Sequence, residues 1–154
     1  MSQKNSRSKF FINWILKDEL AIGPAPRRED HLIQLEEKNI KGILSLCGIE
    51  EVPPPKNMND KFFCKRIVLP DHTYNRNMNI NELNESLELL EELKKEGAIF
   101  VHCKAAIERS PLICMAWLIK TQSLTIQQSL NYLMTVNKGT CPMQDQLNLL
   151  KELF

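Results

Sequence analysis

The stretch from residue 98 to residue 122 restricts the fold most. "AIFVHC" is an unbroken apolar run that closes on His102 and Cys103, and "SPLICMAWLIKT", a few residues later, is apolar nearly all round. A short run without polar alternation reads as a strand covered on both faces, the usual state of parallel strands. A helix that is apolar all round belongs at the centre of the molecule. A buried strand that hands over to a buried helix through a tight loop is the unit of an α/β layer protein.

The rest of the chain extends this alternation. "FINWILKDELAIG" reads as two short strands around a turn at Lys17, Asp18 and Glu19. "REDHLIQLEEKNI" has helical spacing at Leu32, Ile33 and Leu35, and "GILSLC" is a second buried strand. "GIEEVPPPKNMND" holds three consecutive prolines and is assigned wholly to loop. "KFFCKRIVL" is a further strand, ended by Pro70. In "NINELNESLELLEELKKEG", Asn79 and Glu82 stand in capping-box spacing, and Ile80, Leu83, Leu87, Leu90 and Leu93 share one face. Gly97 can close that helix. "TIQQSLNYLMTVNKG" repeats the capping pattern with Thr125 and Gln128 and ends at Gly139; "PMQDQLNLLKELF" is a last amphipathic helix. The expected fold is α/β, with a central mixed, mostly parallel sheet of about five strands flanked by helices. One domain is expected over residues 10–154, after a flexible N-terminal arm over residues 1–9.

Composition narrows the classes. With 154 residues, 43% hydrophobic and 25% charged, the chain has room for one real core. A net charge of +1 implies no polyanion, and no nucleic-acid partner is expected. No apolar run approaches the length of a bilayer span, so no membrane partner is expected. The start, "MSQKNSRSKFFINWIL", is acid-poor like a transit peptide. It lacks a small-residue cleavage site and is read as an arm leading into a strand, not a signal peptide. The 5 cysteines include no CxxC and the 3 histidines are scattered, which predicts free thiols, a reducing, cytoplasmic setting and no metal or other cofactor.

The loop itself suggests chemistry. Residues 103–110 join the carboxyl end of one buried strand to the N-terminus of a buried helix, the place where α/β sheets bind ligands. A helix N-terminus offers unpaired N–H groups and a positive dipole end, and a loop curling into it can form an anion nest. Negative charge on the Cys103 sulfur is stabilised there, with Arg109 as the nearby cation. The guanidinium is a planar fork suited to two oxygens of a tetrahedral oxyanion. The five residues between them, Lys104, Ala105, Ala106, Ile107 and Glu108, are enough to circle a phosphate. Ser110 places a hydroxyl at the sulfur, and His102 can hold loop carbonyls. The chemistry that follows is thiolate attack on phosphorus through a phosphocysteine.

"HCKAAIERS" resembles the H-C-x-x-G-x-x-R-S/T signature of cysteine-dependent protein tyrosine phosphatases, and the size and strand order look like the dual-specificity branch. The resemblance runs from about Phe10 to Phe154 and implies the phosphotyrosine protein phosphatase II-like fold. It also implies a general acid from an aspartate on a separate upstream loop. Asp71, in "VLPDHTYN", is the only aspartate between Asp60 and Cys103. His72 beside it is read as a surface residue. Ala106 departs from the family's glycine; if the backbone there needs positive φ, alanine costs about 1 kcal/mol. Glu108 is also unusual and adds negative charge at the mouth. Some family members keep a second cysteine that traps the oxidised nucleophile, and the strand "GILSLC" would place Cys47 in that role.

These residues imply a monomeric phosphatase acting on phosphorylated protein. Its site would be shallow, open to phosphotyrosine and to phosphoserine or phosphothreonine. Three other readings compete. Ala106 alone supports a catalytically weak module that binds phosphorylated partners. A phosphoinositide or RNA-phosphate phosphatase is the next, with Lys104 the feature shared with lipid-phosphate members, although one Lys and one Glu leave the loop no excess charge for a polyphosphorylated head group. A rhodanese-like or arsenate-reducing enzyme also has a Cys-to-Arg loop, but lacks a reason for Asp71 and Ser110.

Overall fold

The computed structural model describes residues 9–154. The expected arm therefore lies outside the described residues, apart from Lys9. The first two strands, β1 (Asn13–Leu16) and β2 (Leu20–Gly23), form a hairpin whose turn puts Asp18 at φ 61°, a region that aspartate tolerates. Then come α1 (Glu29–Glu37), β3 (Ile40–Ser45), α2 (Met58–Lys61), β4 (Phe63–Arg66) and α3 (Ile80–Lys94). β5 (Ala98–His102), α4 (Arg109–Gln122), α5 (Ile126–Val136) and α6 (Gln144–Leu153) complete the chain. The five strands lie in the order β1-β2-β5-β3-β4, antiparallel between β1 and β2 and parallel elsewhere. This is the mixed, mostly parallel sheet that the sequence predicts.

β5 is central and buried along its whole length. Its side chains alternate between two cores, as the twofold strand repeat requires. Ile99 and Val101 join Leu44, Leu87, Leu90, Leu112 and Trp117 on the face covered by α3 to α6. Ala98 and Phe100 join Leu32, Leu35, Ile43 and Met58 on the face covered by α1 and α2. Both expected capping boxes form. The Asn79 side chain accepts from the Glu82 amide at 2.9 Å, and Thr125 Oγ1 from the Gln128 amide at 3.0 Å.

Three sequence assignments change. The segment read wholly as loop contains the single turn α2, because prolines 53 to 55 end before Met58 packs into the lower core. The strand read over residues 61–69 is regular only over Phe63–Arg66, although the amides of Ile67 and Leu69 still donate to Ser45 and Leu46. Ile33 is 45% exposed, so α1 buries Leu32 and Leu35 but not all three predicted residues.

Parallel pairing brings the carboxyl ends of β2, β3, β4 and β5 to one edge of the sheet. Gly23 ends β2 there, with its neighbours packed tightly. A Cβ at Gly23 would stand 2.1 Å from the Phe11 carbonyl oxygen and 2.8 Å from the Phe100 ring. Gly23→Ala is expected to destabilise the protein by about 1–3 kcal/mol, read as a lower denaturation midpoint; an unchanged midpoint would show that the Phe11 segment yields freely.

Candidate active site

The loop after β5 is held from outside by its carbonyl groups. The His102 carbonyl accepts from the Leu46 amide at 2.9 Å, and Lys104 from the Ala25 amide at 3.2 Å. The Ile107 carbonyl accepts from the Cys141 amide at 2.8 Å, and Ala106 from Asn137 Nδ2 at 2.9 Å. The Cys103 carbonyl accepts from His102 Nδ1 at 2.9 Å. In a trans peptide the N–H points opposite to the C=O, and no peptide among the described residues is cis. Fixing these carbonyls outward therefore turns the amides of Lys104, Ala105, Ile107 and Glu108 toward the loop's centre. A ring of N–H groups at the N-terminus of α4 is an anion nest.

His102 is fully enclosed. Because Nδ1 donates to a carbonyl, Nε2 carries the lone pair and accepts from the Ser45 hydroxyl at 2.7 Å. Burial pushes its pKa down to about 4, so the ring stays neutral and keeps this tautomer. Ser45 lies opposite His102 in the β3–β5 register, so the strand pairing itself sets the loop's anchor.

Ala106 sits at φ 61°. The condition set out for this position holds: the backbone is left-handed, and an alanine stands there in place of glycine. Asn137, at the end of α5, braces it: its Nδ2 donates to the Ala106 carbonyl and its Oδ1 accepts from Asn13 Nδ2 at 3.1 Å.

Cys103 is 3% exposed, and its Sγ lies 3.2 Å from Ser110 Oγ. Arg109 follows the loop as the first residue of α4, with only 2% of its side chain exposed. A buried arginine needs a partner, and Glu51 supplies it. Nη1 and Nη2 donate to the two Glu51 oxygens at 3.1 and 2.5 Å, and Nη1 also donates to the Leu69 carbonyl at 3.1 Å. Burial opposes the charge, but Glu51, Cys103 and Asp71 outweigh it and hold the pKa above the ordinary arginine value. Three of the five N–H groups are thus engaged, which leaves Nε–H and one Nη2–H as a fork for an oxyanion.

Asp71 Oδ2 stands 3.5 Å from Arg109 Nη2. Its Oδ1 accepts from the Thr73 amide at 2.9 Å and the Thr73 hydroxyl at 2.5 Å. Burial raises the Asp71 pKa, yet the two Thr73 hydrogen bonds and Arg109 together take it below the usual carboxylate value. The structure therefore brings together Cys103, the loop 104–108, Arg109, Ser110, His102 and Asp71. Cys47, two residues past the end of β3, is buried near them but belongs to a small cluster with Ala25 and Val52. Lys104 and Ile107 face outward. Sequence reading missed Glu51, Ser45 and Asn137. Only Glu51 left a signal, an acid near the end of the strand beside β5 where a buried arginine had to be neutralised.

A five-stranded sheet with a cysteine-to-arginine loop at its carboxyl edge is the arrangement expected of a cysteine-based phosphatase domain. Residues 23–154 match the family model described as "Dual specificity phosphatase, catalytic domain", and the chain belongs to that family. Over 66 residues it is 36% identical to human "Dual specificity protein phosphatase 5", a match covering 43% of this chain and 17% of that protein. The chain thus matches only a small part of that relative. In solved structures, human tyrosine phosphatase-like serine/threonine/tyrosine-interacting protein superposes with TM-score 0.79 at 22% identity, over 92% of this chain and 94% of the other. PTPMT1 in complex with PI(5)P superposes with TM-score 0.78 at 18% identity, over 92% of each chain. Both show the shared fold.

Ala106→Gly removes left-handed strain of about 1 kcal/mol but gives back a similar amount of unfolded-chain entropy. Stability should stay within about 1 kcal/mol, and aryl phosphate turnover, measured alongside, should hold or rise. A large fall in turnover would mean that the loop is built around the alanine methyl.

Proposed function

We propose that this domain hydrolyses phosphate monoesters through a phosphocysteine on Cys103, with phosphotyrosine in proteins as the leading substrate. The observation that carries the reading is the Arg109 fork, fixed by Glu51 over an inward-facing ring of amides beside the Cys103 sulfur. The ester's phosphoryl oxygens take those amides and the free Nε–H and Nη2–H. The Cys103 sulfur attacks phosphorus as the bond to the ester oxygen breaks. Asp71 gives that oxygen its proton; a bound dianion neutralises Arg109 and raises the Asp71 pKa for the task. Water then attacks the phosphocysteine, Asp71 takes the water's proton, and Ser110 donates a hydrogen bond to the departing sulfur. Ile107 and Tyr74, 42% and 38% exposed, offer apolar surface to an aryl group. The activity would belong to a monomer in the cytoplasm; no described helix is long and apolar enough to cross a membrane.

A second reading has one supporting observation. Lys104 is exposed on the loop, while the Glu108 carboxylate is turned toward His72. That leaves a cation for a second phosphate, and a structural neighbour is described in complex with PI(5)P. Turnover measured on phosphotyrosine peptides, phosphoserine peptides, phosphoinositides and 5′-phosphorylated RNA separates the readings.

Cys103→Ser should abolish turnover and keep phosphate binding, measured by isothermal calorimetry; residual hydrolysis above background would remove Cys103 as nucleophile. Asp71→Asn should slow poor leaving groups by about 10²–10⁴ and good ones much less, and should flatten the basic limb of the pH profile. Equal losses on both would leave Asp71 a structural part.

The family resemblance also makes Cys47 a candidate redox partner. β3 lies beside β5 with Ser45 opposite His102; Cys103 follows that pair by one residue and Cys47 by two, with the Leu46 amide between them donating to the His102 carbonyl. Burial and Glu51 raise the Cys47 thiol to about 11, and Cys103 adds to the rise. Cys114, buried in α4, is likewise raised by burial and by Cys103. Peroxide would oxidise Cys103 to the sulfenic acid, and the Cys47 thiol would displace water to form the disulfide. Non-reducing peptide mapping after mild peroxide should recover a Cys47–Cys103 link that thiols reverse. A Cys103–Cys114 link, or Cys103 recovered only as sulfinic or sulfonic acid, would eliminate Cys47.

A further inference from the structure

The side chains of Glu108 and His72 have no part in the chemistry above, yet the fold joins them. Glu108 is the residue before α4, where an acidic side chain could cap the helix, and it makes no capping hydrogen bond. Its side chain is only 13% exposed and points across the site mouth. Oε1 accepts from the His72 amide at 3.2 Å, and Oε2 meets His72 Nδ1. A ring nitrogen against a carboxylate oxygen must carry the hydrogen, and both the Nδ1–H tautomer and the imidazolium provide one. The contact therefore does not depend on the ring's charge.

The placement matters because of the neighbours. Asp71 precedes His72 and Arg109 follows Glu108, so two consecutive residues of one loop face two of the other. Asp71 stands 3.5 Å from Arg109, and His72 touches Glu108. The rest of the acid loop is lightly held. Residues 72–77 are exposed, and the Tyr74 amide bonds back to Asp71 within the same turn. The next side-chain anchor is Arg76, which pairs with Glu82 on α3 at 2.7 Å. When a phosphate oxygen takes the Nη2–H that Asp71 now faces, the Asp71–Arg109 contact weakens. The His72–Glu108 contact does not use that N–H and persists.

We infer that His72 and Glu108 form a clasp that positions Asp71 over the leaving oxygen once substrate has displaced it from Arg109. The inference rests on Asp71 being the general acid. Both are positioning residues: they touch neither phosphate nor leaving group through their side chains. A surface ion pair alone contributes little, but here one covered carboxylate holds a backbone amide and a ring together, and the loop has few other ties.

The test uses His72→Ala, Glu108→Gln and the double variant of the same chain. Hydrolysis of phenyl phosphate and of an activated nitrophenyl phosphate is compared, and amide hydrogen exchange is followed over residues 73–77. Each single variant should lose roughly tenfold on phenyl phosphate and much less on the activated ester, and the double variant should lose no more than the worse single one. Exchange should accelerate by roughly tenfold, equally in all three. Equal losses on the two esters, multiplying losses in the double variant or unchanged exchange would overturn the clasp. If the parent protein hydrolyses neither ester while exchange still accelerates equally in all three, the phosphatase reading fails and the clasp stands as a loop tether.

Discussion

The site depends on one buried cation. Arg109 has 2% of its side chain exposed, and a guanidinium at that depth is tolerable only with matched acceptors. Glu51 and the Leu69 carbonyl take three of its N–H groups, and they come from two different loops, one after β3 and one after β4. The arginine thus closes the sheet's carboxyl edge and at the same time presents its opposite edge to the nest. Structural anchoring and oxyanion binding are two sides of one planar group, which a lysine could not divide in the same way.

The nest has the complementary requirement. Five carbonyls must be held outward for the amides to face inward, and partners come from β2's exit, β3, His102 itself, Asn137 and Cys141. The helical layer behind the loop is therefore part of the anion site. It also explains how alanine is accommodated at φ 61°. Left-handed strain at Ala106 is offset where Asn137, itself held by Asn13, fixes the carbonyl that the strain would otherwise displace.

Much of this was legible from the chain. The unbroken apolar run of "AIFVHC" and the 3.6-fold apolar pattern of "NINELNESLELLEELKKEG" located the central strand and a covering helix, because burial on two faces and on one face imposes them. The cysteine, arginine and serine were legible because their spacing is confined to one short loop. Glu51, Asn137 and the His72–Glu108 contact were not, since each joins residues far apart in sequence and depends on how loops fold over the sheet edge. His72 had been read as a surface residue. It is indeed 60% exposed at the side chain, and only its Nδ1 and amide meet Glu108. The four-residue helix α2 was masked by the prolines beside it, which speak for their own backbone and not for Met58.

Direct trapping of the intermediate bears most closely on the account. Ser110 Oγ lies 3.2 Å from the Cys103 sulfur and is assigned to assist its departure. Ser110→Ala should let phosphorylated enzyme accumulate in a rapid acid quench with labelled aryl phosphate. Peptide mapping should place close to one phosphate per chain on Cys103, and none when Cys103→Ser is added. Release of phosphate with no phosphorylated Cys103 at any time point would contradict the account.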